Sequence, residues 1–78
     1  MDREKPDLNA LTREVQALAR AARRLAQEGH NPVAAQSAEH FQQGASDAYR
    51  SKDADHLQKN LTALRLLVEE LQARNAQA

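Results

Sequence analysis

Residues 53–72, DADHLQKNLTALRLLVEELQ, decide the fold. Ala54, Leu57, Leu61, Leu64, Val68 and Leu71 recur at steps of three and four. That period places all six on one stripe of an α-helix. No glycine or proline interrupts the run. Asp53 stands at the N-cap position, where a short side-chain oxygen accepts an otherwise unpaired N–H of the first turn. Asp55 lies in that first turn, where negative charge suits the helix dipole. The spacing predicts a helix over 53–75, with Leu67 flanking its stripe and residues 76–78 as a frayed tail. A stripe this apolar cannot remain in water, so the other segments must cover it.

Upstream, Ser51-Lys52 reads as a turn, and a second helix is predicted over 32–50. Its inner face is small: Ala34, Ala38, Phe41, Ala45 and Ala48, with Tyr49 beside it. Gly44 inside this segment costs ~1 kcal/mol of helix propensity relative to alanine, so this helix is expected to be the least stable. Before it lies GHNP at 29–32, the clearest punctuation in the chain. Asn31 suits an N-cap and Pro32 the first helical position. Gly29 is expected to end the preceding helix in a left-handed conformation. That first helix is predicted over 8–28, with Leu8, Leu11, Val15, Leu18, Ala22 and Leu25 forming a heptad-like seam. Asp7 is placed to cap it, and residues 1–7 read as a flexible lead-in. Short links make successive helices antiparallel neighbours. The expected fold is all-α: an antiparallel three-helix bundle, up-down-up, with leucine seams from the first and third helices packed around Phe41.

A chain of 78 residues is one domain at most, and it buries only a modest core. Eleven Lys and Arg balance eleven Asp and Glu. A nucleic-acid binder normally carries a basic surplus, because phosphate contacts supply much of its affinity; the balance argues against that role. Cysteine is absent, which removes disulfides and thiolate metal sites. No apolar run approaches the ~18 residues of a membrane span, and no signal-peptide pattern opens the chain. The expectation is a soluble, cytoplasmic protein.

Arg13, Arg20 and Arg24 are separated by seven and four residues and share a helix face opposite the leucine seam, with Arg23 towards its edge. They read as a patch for an anion or acidic partner, or more plainly as a solvated outer face. Leu66 lies opposite the stripe of the third helix, among Lys59, Glu70 and Ala73. It reads as an anchor for a partner or a second copy, or as one exposed leucine of the ordinary kind. His30, His40 and His56 lack the i, i+4 spacing of paired helical metal ligands. Ser37, Ser46 and Ser51 have no nucleophile context, and adjacent Glu69 and Glu70 diverge on a helix. No catalytic residue, cofactor or metal site is predicted.

The order of elements carries a resemblance. LARAARRLAQEG leads to the break HNP; a smaller alanine-rich helix follows, AEHFQQGASDAYRS; then come the turn KDAD and the leucine-stepped HLQKNLTALRLLVEEL. From Leu18 to Leu71 this resembles the C-terminal helical lid subdomain of the DnaK-type seventy-kilodalton heat-shock chaperones. The resemblance implies a non-catalytic role: a bundle that closes over an extended-peptide site on a neighbouring β domain, under control of an ATPase domain elsewhere in a parent chaperone. It implies a fragment of a longer protein, with the other parent domains and unfolded client peptides as partners. No peptide-contact residue carries over to a numbered position. The alternative expectation is a free-standing helical module that dimerises or docks on a partner helix. A third reading is a nucleic-acid accessory protein using Arg13, Arg20, Arg23 and Arg24.

Overall fold

The computed structural model describes residues 7–77, and these form three helices: α1 (Leu8–Glu28), α2 (Pro32–Arg50) and α3 (Ala54–Gln77). Each begins at a side-chain cap. Asp7 Oδ1 accepts from the backbone N–H groups of Asn9 (3.1 Å) and Ala10 (3.2 Å). Asn31 Oδ1 accepts from Ala34 N–H at 3.1 Å, and Asp53 Oδ1 from His56 N–H at 3.1 Å. Each cap satisfies donors that the first turn leaves without intrahelical partners. The lead-in at residues 1–6 and the last tail residue, Ala78, lie outside the described residues.

The two links are the same device used twice. After α1, the N–H of Asn31 donates to Ala26 O at 2.8 Å and that of His30 to Gln27 O at 3.1 Å. After α2, Asp53 N–H donates to Ala48 O at 2.8 Å and Lys52 N–H to Tyr49 O at 3.1 Å. This pair of bonds is the Schellman closure, which needs one left-handed residue. That residue is His30 (φ 50°) in the first link and Lys52 (φ 58°) in the second. The expectation that Gly29 takes the left-handed conformation is therefore corrected: its φ is −93° and ψ 6°. In both links the residue that closes one helix also caps the next, so three residues suffice to reverse the chain.

The helices run up, down, up, and α1 and α3 are parallel neighbours. Glu14 meets Arg65 and Leu25 meets Asn75, so contacts climb both helices together. Against α2 the order reverses: Asn9 meets Tyr49 and Arg23 meets Gln42. All three pairs of helices pack, as the bundle expectation required.

The centre is built asymmetrically. Leu57, Leu61, Leu64 and Leu71 of α3 are buried, as their stripe predicts, while Ala54 and Val68 sit at its half-buried edge. Facing them are small residues: Val15, Ala19, Ala22 and Ala26 of α1, and Ala34, Ala38, Ala45 and Ala48 of α2. Two expectations change here. Leu11, Leu18 and Leu25 do not form the centre of the α1 seam; they are half-buried along its flank. Leu11 and Leu18, three residues before and four after Glu14, share the side that turns to α3. Phe41 is likewise half-buried at the edge of the core, not at its middle. The reason is volume. The α3 leucines already fill the space between the helices, so α1 and α2 approach with alanine faces and keep their larger side chains for the seams. Phe41 packs against the edge of the core and also meets exposed His40 edge-on, ring centroids 5.8 Å apart.

Polar contacts set the closest approaches. Asn60, only 8% exposed, donates through Nδ2 to His56 O at 2.9 Å within α3. Its amide lies against Gly44, where an added Cβ would stand 3.0 Å from Oδ1 and 3.3 Å from Nδ2. The glycine that weakens α2 by propensity is what lets α2 close on α3. At the bundle end, Asn75 Nδ2 donates to the Leu25 carbonyl at 3.1 Å. Asn75 therefore does not mark the fading of α3; it is held, and the helix continues to Gln77.

Candidate interaction surface

The outer face of α1 follows from the direction of its core face. Val15, Ala19, Ala22 and Ala26 point inward, so residues half a turn away project outward. Arg13, Arg20 and Arg24 are all exposed there, with Ala17 between them. Among the described residues none of the three takes part in an ion pair.

Arg23 does not belong with them. Its Nη1 donates to Gln42 Oε1 at 2.6 Å across the α1–α2 seam, and the side chain is partly buried. It joins two helices of its own chain, which removes it from the outer stripe. Glu14 is similarly engaged, accepting from Arg65 Nη2 at 3.0 Å between half-exposed side chains. The outward charge on the middle of α1 is therefore positive, carried by three arginines, with exposed Glu28 one turn beyond Arg24 at the end of the same ridge.

On α3 the outward position opposite Leu57 and Leu64 is held by Leu66, 60% exposed. Glu69 and Glu70 stand three and four residues further on, both exposed, with Ala73 beyond. Glu70 Oε2 accepts from Arg74 Nη2 at 3.1 Å, an exposed pair within one turn. Such pairs hold their partners weakly. Lys59 precedes Leu66 on this face.

No family model, no curated protein and no solved structure matches the chain.

The remaining candidates do not assemble. His30 lies in the first link, His40 on the exposed side of α2 and His56 in the first turn of α3. Among the described residues no group of three or more His, Cys, Asp or Glu side chains is placed to hold a metal ion. The surface depressions are open and lie at the ends of the rod. One is lined by Ala26, Gln27, His30, Asn31, Pro32 and Ala35, another by Ser51, Lys52, Asp53, Ala54 and Asp55. Neither brings a nucleophile together with an oriented base. No described helix is long and apolar enough to cross a membrane.

Among the contacts that escaped the sequence reading are Asn60 against Gly44, Asn75 on Leu25, and Tyr49, whose hydroxyl donates to Asn9 Oδ1 at 2.6 Å. Asn60 carried a faint signal, since it stands three residues after Leu57 and beside the seam. Asn75 and Tyr49 carried none, because their partners are 50 and 40 residues away.

Proposed function

We propose that the chain is a non-catalytic helical interaction module that binds another polypeptide through the outer faces of α1 and α3. The observation that carries this reading is Leu66, 60% exposed on a helix whose other leucines are buried or half-buried. It stands beside two glutamates, while the outer ridge of α1 holds Arg13, Arg20 and Arg24. An apolar anchor with a charged rim is the usual anatomy of a protein contact. A photo-crosslinking amino acid at position 66, expressed in the native cell, tests it. Crosslinks to a polypeptide chain that a probe at core-distant Gln36 does not form support the module. A probe at 66 that captures nothing, together with one at Ala17 that captures nothing, removes it.

A second reading keeps the cytoplasmic chaperone lid. Its support is the order of elements on which the resemblance rests, three helices with an Asp53-capped turn at 51–53. The neighbouring reading frame tests it. An ATPase and a peptide-binding β domain encoded in frame upstream support a lid; a stop codon directly upstream removes it.

A further inference from the structure

The outer faces of α1 and α3 complement each other, and the geometry points to a second copy of this chain as the partner: Leu66 of one copy seats on Ala17 and Ala21 of the next, and Glu69 and Glu70 meet Arg20 and Arg24. This inference rests on the interaction-module reading and names its partner.

On α1, Ala17, Arg20, Ala21 and Arg24 stand at i, i+3, i+4 and i+7. These are the four corners of the hole that one helix offers to a side chain of another. Two corners are small, so a leucine can enter; two are guanidinium groups that no described carboxylate engages. On α3, Leu66 is the exposed knob, and Glu69 and Glu70 follow at three and four residues. A leucine flanked by carboxylates thus matches a small-residue hole flanked by arginines in size, spacing and sign. Glu69 has no ion-pair partner among the described residues, and the exposed Glu70–Arg74 pair exchanges readily for an intermolecular one.

Other occupants account for less. An acidic helix from a different protein would satisfy α1 and leave Leu66 and its glutamates uncovered. A nucleic acid would use the arginines alone, on a chain whose charges sum to zero. A second copy uses both faces. The two halves lie on different helices, so every copy carries both. Contacts of this kind close into a pair or ring, or continue as an open chain. One helix-on-helix contact falls below the ~1,200 Å² of stable complexes, so the association is weak and reversible.

Sedimentation velocity of the full chain, from micromolar to millimolar concentration, tests this. The weight-average mass is expected to climb above that of one chain as concentration rises, and to fall back in high salt. Leu66→Ala, the pair Arg20→Glu and Arg24→Glu, and the pair Glu69→Lys and Glu70→Lys should each weaken association at least ~10-fold. Circular dichroism should be unchanged, because every substituted side chain is exposed. The chain carrying both reversed pairs should associate again. A monomer at every concentration overturns the proposal, as does association that the three changes leave intact or that the double reversal fails to restore. A monomer whose position-66 probe still captures a different polypeptide overturns self-association and leaves the module standing; a monomer whose probes capture nothing overturns both.

Discussion

The side-chain amide of Asn75 donates to the Leu25 carbonyl at 3.1 Å, and its oxygen lies 2.6 Å from where a Cβ on Gly29 would stand. The last turns of α1 and α3 are thus tied by a residue near the end of the chain, and the glycine between α1 and α2 is the space that the tie occupies. Gly29 is there for closeness, not for a left-handed backbone, since its φ is −93°.

The first expectation follows from that contact. Gly29→Ala should expel the Asn75 amide and cost about 1 kcal/mol, the worth of one hydrogen bond. In an Asn75→Ala background the same change should be neutral or stabilise by ~0.4–1 kcal/mol, through reduced freedom of the unfolded chain. Urea unfolding of the four proteins of this double-mutant cycle measures the coupling. Equal effects in both backgrounds would show that Asn75 does not constrain position 29.

Gly44 and Asn60 make a second coupled pair. Alanine at 44 gains ~1 kcal/mol of helix propensity but places its Cβ 3.0 Å from Asn60 Oδ1. Asn60 is buried and tethered to His56 O, so it cannot withdraw without loss. Overpacking of ~1–3 kcal/mol should win, and Gly44→Ala should destabilise. Combined with Asn60→Ala it should change sign and stabilise by ~1 kcal/mol. Denaturant midpoints decide this; a stabilising Gly44→Ala beside an intact Asn60 would contradict it.

The two left-handed link residues are not glycine. Left-handed backbone costs roughly 1–2 kcal/mol for a residue with a Cβ. His30→Gly and Lys52→Gly should therefore each raise stability by about 0.5–1 kcal/mol, after the added freedom of glycine in the unfolded state is subtracted. For a domain this size that is several degrees in Tm, on the scale of ~4–8 °C per kcal/mol. Thermal melts followed by circular dichroism read the shift, and a lowered Tm in both variants would refute the account of the links.

Core and surface should separate cleanly. Leu61→Ala and Leu64→Ala remove buried leucines and should each cost ~2–5 kcal/mol, enough to unfold a small domain. Phe41→Ala should cost less than either, because the ring is only half-buried. Arg20→Ala should stay within ~0.5 kcal/mol. Chemical denaturation of the four variants checks the order; a Phe41 loss exceeding both leucine losses would restore the aromatic ring to the centre of the bundle.

Much of this architecture could be read along the chain. Three helices, their starts at Asp7, Asn31 and Asp53, and the α3 stripe all follow from interactions within four residues: a side-chain oxygen meeting a free N–H, or apolar groups repeating every turn. The exposure of Arg13, Arg20, Arg24 and Leu66 follows from the same periodicity, since a known inner face defines an outer one. Arg23 was less legible. It stands at the margin of the arginine face, and only its reach to Gln42, 19 residues away, takes it out of the outer stripe.

Periodicity could not say how far α1 and α2 are rolled about their own axes. A repeat containing both leucines and alanines has two adjacent stripes, and either can face inward. The choice went to alanine because α3 brings four leucines to a narrow space, and volume is counted over all three helices at once. The roles of Gly29 and Gly44 are of the same kind. Each is defined by an asparagine amide that arrives from a distant part of the chain, and a glycine shows no local sign of what will press against it. Local hydrogen bonding settles where a helix begins and ends; which of its sides is innermost, and where two backbones may touch, is settled by the other helices.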